Sequence, residues 1–241
     1  MFNFRASQGP GPVFPGPQAL RHLGGQRATC HARTWGLQVL AKLMSWFLLG
    51  LIRVLTGAQA RWQGCPPKAE QRIYFANHQS HADLVLIWAA LPQELRSITR
   101  PIAAKDYWTK TPFKQWITTA VFNAIYVDRA KTSEQDPLEP LIDALESGDS
   151  IILVPEGTRG NQEEPQPFKS GLYNLAQKFP QVVLVPAWIN NVQRVMPKGE
   201  VVPVPILCSV TFGTPLALEP GEERGSFLTR ARQAVIALRD T

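Results

Sequence analysis

A histidine and an aspartate five positions apart are the residues of this chain best suited to acid–base chemistry. His78 follows the hydrophobic segment 72–76, and Asp83 comes three residues after Ser80, where a helix is predicted to begin. A neutral imidazole can take a proton from an alcohol, and a carboxylate on its other nitrogen fixes the tautomer and stabilises the imidazolium. Five helical residues would turn the two side chains about 140° apart. We therefore expect His78 to lie before the helix and to fold back over its start.

The same residues also have simpler interpretations. Ser80 and Asp83 match a helix capping box, which would explain Asp83 without catalysis. His78 and His81 have the spacing of a metal-binding pair, but no Cys or acidic residues that would complete a closed zinc site cluster nearby, so no metal is expected. Because the chain has no G-x-S-x-G motif, a serine acyl-enzyme is not supported, and the substrate's own hydroxyl would be the nucleophile.

Two other motifs place an arginine shortly after the end of a predicted strand. FNAIYVDR, residues 122–129, ends in Arg129, and ILVPEGTRG, residues 152–160, contains Arg159. In parallel α/β sheets, ligands bind at the carboxyl ends of the strands. Both guanidinium groups are therefore candidates for binding a phosphate. The alternative is an ordinary surface arginine at a strand end.

Two more residues at predicted strand ends are candidates for a site. Glu156, which precedes the turn residue Gly157, could accept hydrogen bonds from the hydroxyls of a glycerol-like substrate or could hold Arg159 in place. Lys105 follows the segment TRPIAA and would be a third cation at the same edge.

Strand and helix patterns alternate from Gln71 onward, which predicts an α/β sandwich around a largely parallel sheet flanked by helices. The predicted strands are 72–76, 99–105, 123–127, 150–155, 181–189 and 202–213, and the predicted helices are 81–91, 106–120, 137–147, 169–179 and 222–240.

The N-terminal part of the chain has a different character. Residues 1–69 contain eight Lys and Arg and no Asp or Glu. Residues 1–35 are rich in Gly and Pro and are predicted to be a disordered basic tail. A basic arm suits an anionic membrane or a nucleic acid, but the chain has no nucleic-acid-binding module, so nucleic acid is not expected as a partner. Three cysteines without a motif spacing favour a reducing cytosolic setting.

Residues 36–57 are apolar except for one narrow polar stripe, as in an amphipathic helix. The uncharged run between Lys42 and Arg53 would cover about 15 Å, roughly half the hydrocarbon thickness of a bilayer. We therefore expect a helix that lies in the membrane interface. A helix that packs on the protein core is the alternative. Met44 is a second possible start of the chain.

Three motifs together resemble a known family. NHQSHAD resembles the NHxSxxD block of the glycerolipid acyltransferases, the lysophosphatidic acid acyltransferase group. NAIYVDR is similar to that family's second block, usually G-x-x-F-I-D-R, and VPEGTRG to its third, E-G-T-R. PFKSGLYNLA and VVLVPAWI are similar to the regions that follow. The order matches, and the resemblance runs from about residue 60 to 215.

The resemblance implies a glycerolipid acyltransferase domain over residues 60–241. It would move a fatty acyl group from acyl-CoA or acyl carrier protein to the free hydroxyl of lysophosphatidic acid, giving phosphatidic acid. It implies no cofactor and a location at the cytoplasmic face of the inner or plasma membrane. His78 would be the general base and Asp83 its orienting group. The residues implied to bind the acceptor are Arg129, Glu156, Gly157, Thr158, Arg159 and Lys105.

Some residues depart from the family pattern, and other functions stay open. Asn123 replaces the usual glycine of the second block, and Tyr126 replaces the usual phenylalanine. His81 gives the H-x-S-H-x-D form of glycerol-3-phosphate acyltransferases, so the acceptor could be glycerol-3-phosphate, another lysophospholipid or a lyso-ornithine lipid. A catalytically inactive lipid-binding protein is the alternative outside enzymes.

Overall fold

The computed structural model describes residues 39–40, 42–44, 46–47, 50, 59–80, 83–128, 136–158, 164–190 and 208–239. The chain divides into two compact units, Met1–Lys42 and Leu43–Thr241. The predicted disordered tail, residues 1–35, lies outside the described residues. Within the first unit the structure describes only helical, exposed residues, which are Val39, Leu40 and Lys42.

The second unit is built on a sheet of seven strands within the described ranges. In chain order the strands are β1 (Gln59–Trp62), β2 (Arg72–Ala76), β3 (Thr99–Ala104), β4 (Ile125–Val127), β5 (Ser150–Leu153), β6 (Val183–Ile189) and β7 (Ser209–Phe212). Their order across the sheet is β1-β7-β6-β2-β5-β3-β4. Neighbouring strands run parallel except β6 and β7, which are antiparallel. The prediction of a largely parallel α/β sheet is confirmed.

Helices cover both faces of this sheet. In chain order they are α1 (Asp83–Ala90), α2 (Gln93–Ser97), α3 (Lys105–Trp108), α4 (Pro112–Trp116), a π-helix (Ile117–Val121), α5 (Glu139–Glu146), α6 (Gly171–Lys178) and α7 (Arg224–Ile236).

Side chains alternate along the strands, so each face of the sheet carries its own apolar core. On β2, Tyr74 and Ala76 belong to the core that contains the buried residues of α1. Ile73 and Phe75 point the other way, into the core formed with α5, α6 and α7. The wholly buried pattern of β2 is what a strand covered on both faces requires.

The predicted helix 106–120 is wrong as a single element. The structure has two short helices and a π-helix there, because the backbone at Thr111 is extended, with φ −132° and ψ 145°. Pro112 restricts the residue before it to extended conformations. The Thr111 side chain then caps α4 by accepting a hydrogen bond from the Lys114 amide at 3.3 Å.

Two short elements were not predicted. Strand β1 is four residues long at the edge of the sheet and alternates between exposed and half-buried positions, so it carries little hydrophobic pattern. Helix α2 is five residues long and follows Pro92.

The predicted interfacial helix, residues 36–57, is described at eight positions, all of them helical. Leu43, Trp46 and Phe47 are exposed there, and Met44 packs against the core on the α1 face. The other residues of the segment lie outside the described part of the chain. No described helix is both long and apolar enough to span a bilayer.

Asn123 occupies the position where the family usually has glycine, and it adopts the backbone conformation that the turn needs. Its φ is +48°, in the left-handed region, just before β4 begins. Asparagine tolerates this region better than other side chains because its amide can bond locally. The Asn123 carbonyl accepts a hydrogen bond from Arg100 Nε on β3 at 2.8 Å.

We predict that Asn123→Val lowers the free energy of unfolding by about 1–2 kcal/mol, because a β-branched residue is strained at positive φ. Asn123→Gly is the matched control and should change stability by less than about 0.5 kcal/mol. Urea unfolding followed by circular dichroism measures both. Equal stability of the valine variant and the wild type would show that the turn relaxes at no cost.

Candidate active site

His78 and Asp83 meet in the connection between β2 and α1. His78 Nδ1 lies 2.9 Å from Asp83 Oδ2, and both side chains are buried, at 4% and 1% exposure. Two residues after the strand ends, His78 lies in the loop, while Asp83 is the first residue assigned to α1. The predicted fold-back of His78 over the helix start is confirmed.

The same carboxylate oxygen also caps the start of the helix. Asp83 Oδ2 accepts hydrogen bonds from the backbone amides of Gln79 at 2.6 Å and Ser80 at 2.8 Å. The Asp83 carboxylate therefore both caps the helix and orients the imidazole. Because the Asp83 carboxylate already occupies both amides, they are not free to stabilise an oxyanion.

The second ring nitrogen of His78 is in the position that a proton acceptor needs. A carboxylate can only accept, so in the neutral imidazole Nδ1 carries the proton and Nε2 has the free lone pair. Nε2 is shielded from solvent, and no described residue gives it a hydrogen-bond partner. A buried acceptor without a partner costs about 1–3 kcal/mol, which a hydroxyl donor bound there would recover.

Glu156 holds the loop that carries His78. Its Oε1 accepts the His78 backbone amide at 2.6 Å, and its Oε2 accepts the Gln166 amide at 2.7 Å. The pairing of Phe75 with Leu153 puts His78 and Glu156 level across β2 and β5. Glu156 is 2% exposed, and burial raises the pKa of its carboxyl above the ordinary value of 4.5, although both amides counteract this.

Asn77 is a second positioning residue, and the sequence analysis did not single it out. Its Oδ1 accepts the Ile189 amide at 2.9 Å, and its Nδ2 donates to the Ile189 carbonyl at 3.4 Å. The side chain therefore continues the pairing of β2 with β6 where the backbone of β2 leaves the sheet. Its position directly before His78 is the feature of the sequence that could have identified it.

Lys105 lies at the same edge of the sheet, further from His78. It begins α3 directly after β3, and it lines a cavity of about 420 Å³ together with Tyr126, Asp128 and the α3–α4 residues Thr109 and Gln115. Strands in a sheet lie about 4.8 Å apart, so the ends of β3 and β4 are about 10–15 Å from that of β2. The cavity is suited to a part of a substrate remote from the reacting hydroxyl.

Gly157 and Thr158 follow Glu156 at the end of β5. Gly157 has a φ of +71°, and a Cβ placed there would come within 2.6 Å of Lys169 Nζ. Thr158 is exposed. Lys169 is thus a cation beside this turn. The sequence analysis did not assign it a role, although it is the lysine of the PFKSGLYNLA motif.

The predicted phosphate-binding arginines, Arg129 and Arg159, lie outside the described residues, as does His81. Their contribution to the site stays a prediction. Arg129 directly follows Asp128, which lines the cavity, and Arg159 directly follows Thr158. Within the described ranges, no three His, Cys, Asp or Glu side chains gather to hold a metal ion.

The two described cysteines are poorly suited to act as nucleophiles. Burial raises the pKa of Cys208 to about 11, with a smaller contribution from the charge of Asp83. Burial likewise raises the pKa of Cys65. Both therefore remain thiols at neutral pH, and the thiolate is the reactive form.

The family model described as Acyltransferase matches residues 63–190, more than half of the chain. The chain therefore belongs to this acyltransferase family. The matched region contains β2, α1 and β5, and hence His78, Asp83 and Glu156.

Individual relatives carry more specific names. The chain is 28% identical over 192 residues to a 1-acyl-sn-glycerol-3-phosphate acyltransferase from Limnanthes alba, covering 73% of this chain and 66% of that protein. It is 28% identical over 155 residues to the alpha form from Homo sapiens, covering 62% and 52%. It is 28% identical over 145 residues to Taffazin from Dictyostelium discoideum, covering 55% and 49%. The chain spans about a third to two thirds of the length of the curated relatives it matches.

The fold is similar to that of the LPA acyltransferase PlsC from Thermotoga maritima, with a TM-score of 0.58 and 20% identity. The alignment covers 84% of this chain and 78% of that one.

We predict that Glu156→Gln lowers kcat by about tenfold or more while KM changes little, because it disturbs the loop that sets the position of His78. The amide can accept only one of the two backbone N–H groups and turns its own NH₂ toward the other. Steady-state kinetics of the purified variant measures the effect. An unchanged kcat would show that His78 holds its position without this contact.

The same variant tests the pH dependence of stability. Since the folded state raises the pKa of Glu156, native protein holds this proton more tightly than the unfolded chain. The contribution of Glu156 to stability is therefore largest below pH 4.5 and falls as the pH rises through the folded-state pKa. Urea midpoints are measured at a series of pH values from pH 4 upward. The loss of stability caused by ionisation of Glu156 should be present in the wild type and absent in Glu156→Gln. Parallel curves for variant and wild type would contradict it.

Proposed function

We propose that this protein transfers a fatty acyl group from a thioester, acyl-CoA or acyl carrier protein, to the free hydroxyl of lysophosphatidic acid. The observation that carries this proposal is the 2.9 Å contact between His78 Nδ1 and Asp83 Oδ2, with Nε2 left as an unpaired acceptor. Membership of the acyltransferase family supports the reaction class. The relatives named as 1-acyl-sn-glycerol-3-phosphate acyltransferases support the acceptor.

In the proposed reaction, His78 acts as the general base. Nε2 takes the proton of the acceptor hydroxyl as its oxygen attacks the thioester carbonyl carbon. The new C–O bond forms, the C–S bond breaks, and the imidazolium returns its proton to the departing thiolate. Asp83 stabilises the imidazolium during this exchange, because its Oδ2 is already hydrogen-bonded to Nδ1.

The acceptor phosphate would lie close to His78, because only two carbons and one oxygen separate the free hydroxyl of lysophosphatidic acid from its phosphorus. Lys105 lines the cavity at the ends of β3 and β4. Arg129 would follow the same cavity wall, and Arg159, Gly157 and Thr158 would bind from the end of β5. The end of β5 is one strand from β2, about 5 Å along the edge, and is therefore the nearer source of phosphate contacts. The cavity at β3 and β4, about 10–15 Å away, would take a more remote part of a substrate. The enzyme would work at the cytoplasmic face of the inner or plasma membrane.

A second candidate keeps the chemistry and changes the acceptor to another lysophospholipid. The similarity to Taffazin supports it. So does the cavity lining, in which Asp128, Asp136 and Glu139 accompany Lys105 and give a mixed rather than purely cationic surface.

We predict that His78→Ala lowers the acyl-transfer rate at least about 10²-fold, because the proton acceptor is removed. The assay offers acyl-CoA and acyl carrier protein thioesters to lysophosphatidic acid, glycerol-3-phosphate, other lysophospholipids and a lyso-ornithine lipid, and identifies products by mass spectrometry. Phosphatidic acid is the expected main product. Full activity of His78→Ala, or no turnover of any pair by the wild type, would refute the proposal.

His81→Ala is the matched control for this experiment. If His78 is a general base, His81→Ala should keep its activity within about tenfold of the wild type. If the two histidines instead bind a metal, both variants should lose activity to a similar extent.

A further inference from the structure

The segment from Lys105 to Trp116 carries exposed side chains that have no role in the proposed reaction. Phe113 is 63% exposed, and of the described residues after position 50 it is the one large hydrophobic side chain in that state. Its ring stacks on that of Trp116, with centroids 6.5 Å apart and an interplanar angle of 25°. Lys114 Nζ lies 4.1 Å from the centroid of the Tyr107 ring. We call Tyr107, Lys110, Phe113, Lys114 and Trp116 the aromatic–lysine surface.

We propose that the aromatic–lysine surface docks on an anionic lipid bilayer and turns the mouth of the site toward it. The inference deepens the proposed function, since that function explains why the site should face lipid. Aromatic rings beside lysines are suited to the level of the lipid headgroups. Residues 105–119 contain three lysines and one acidic residue, Asp106, so the segment is attracted to negatively charged lipid.

The position of the surface relative to the site supports a bilayer as the occupant. Thr109 and Gln115, from the same segment, line the cavity that contains Lys105. A lipid that leaves the bilayer beside Phe113 would therefore reach the edge of the sheet without crossing water. Tyr126, on β4, also lines this cavity, and its hydroxyl contacts Thr118 and Thr119 of the π-helix that follows α4. This contact attaches the surface to the sheet.

Other exposed apolar residues lie on the same side of the molecule. Met44 packs against the same core as Trp108 and Trp116, on the α1 face of the sheet. Its neighbours Leu43, Trp46 and Phe47 are exposed at 61%, 69% and 63%. Both groups thus lie next to residues that border the same core.

A protein partner fits this surface less well. Stable protein interfaces bury about 800 Å² on each partner, with charged residues depleted from the centre. Here one exposed ring lies on a short segment that also carries Lys110 and Lys114. Insertion of a ring between lipid headgroups needs no larger area.

The test measures binding of the full-length protein to vesicles by flotation, without any acyl transfer. Vesicles of phosphatidylcholine are compared with vesicles that also contain phosphatidylglycerol. Phe113→Asp should weaken binding to both at least about tenfold, because the apolar side chain is lost. Phe113→Leu, which keeps an apolar side chain, should bind within about threefold of the wild type.

Lysine variants test the charge part of the proposal. Lys110→Glu should weaken binding to the phosphatidylglycerol vesicles by about fivefold or more, and the effect should shrink at high salt. Lys68→Glu is the matched control. Lys68 is exposed in the loop that precedes β2, whereas His78 follows the other end of this strand. It should bind the vesicles as the wild type does.

Wild-type vesicle binding by both Phe113→Asp and Lys110→Glu, with unchanged melting temperatures, would overturn the docking surface. A change in oligomeric state of Phe113→Asp without a change in vesicle binding would also overturn it, in favour of a protein interface. Because flotation requires no turnover, a chain that binds vesicles through this surface but transfers no acyl group would refute the proposed function alone.

Discussion

One carboxylate oxygen, Asp83 Oδ2, fixes the geometry on which the candidate site depends. It accepts hydrogen bonds from the His78 ring and from the backbone amides of Gln79 and Ser80, all within 2.9 Å. A buried charge is tolerated only where hydrogen bonds replace its hydration, and here three donors do so on one side. The same contacts start α1 and set the tautomer of the imidazole. Loss of this carboxylate would therefore disturb the helix start and the base together.

The parallel sheet extends this local geometry into a site. Because β2, β5, β3 and β4 are neighbours and parallel, their carboxyl ends meet at one edge. Glu156 from β5 holds the backbone at His78, and Lys105 after β3 lies beside the cavity. The cavity at the ends of β3 and β4 is separated from His78 by the width of two or three strands.

The parts of the structure that local sequence determines were predicted well. The His78–Asp83 contact joins residues five apart and depends only on a strand, a loop and a helix start. The contact of Glu156 with the His78 backbone joins residues 78 apart and depends on the register of β2 with β5. Sequence patterns give no register between strands distant in the chain, so the holding role of Glu156 was not predicted. The prediction of one helix over 106–120 failed at Thr111 because Pro112 holds the residue before it in an extended conformation.

The tautomer of His78 is the most direct test of this account. ¹⁵N-NMR of the labelled protein, with the His78 signals assigned by their loss in a His78 variant, distinguishes the two ring nitrogens of the neutral imidazole. The account predicts a proton on Nδ1, donated to Asp83, and a free lone pair on Nε2. A neutral ring with the proton on Nε2 would contradict it, because His78 could then not accept the proton of a substrate hydroxyl.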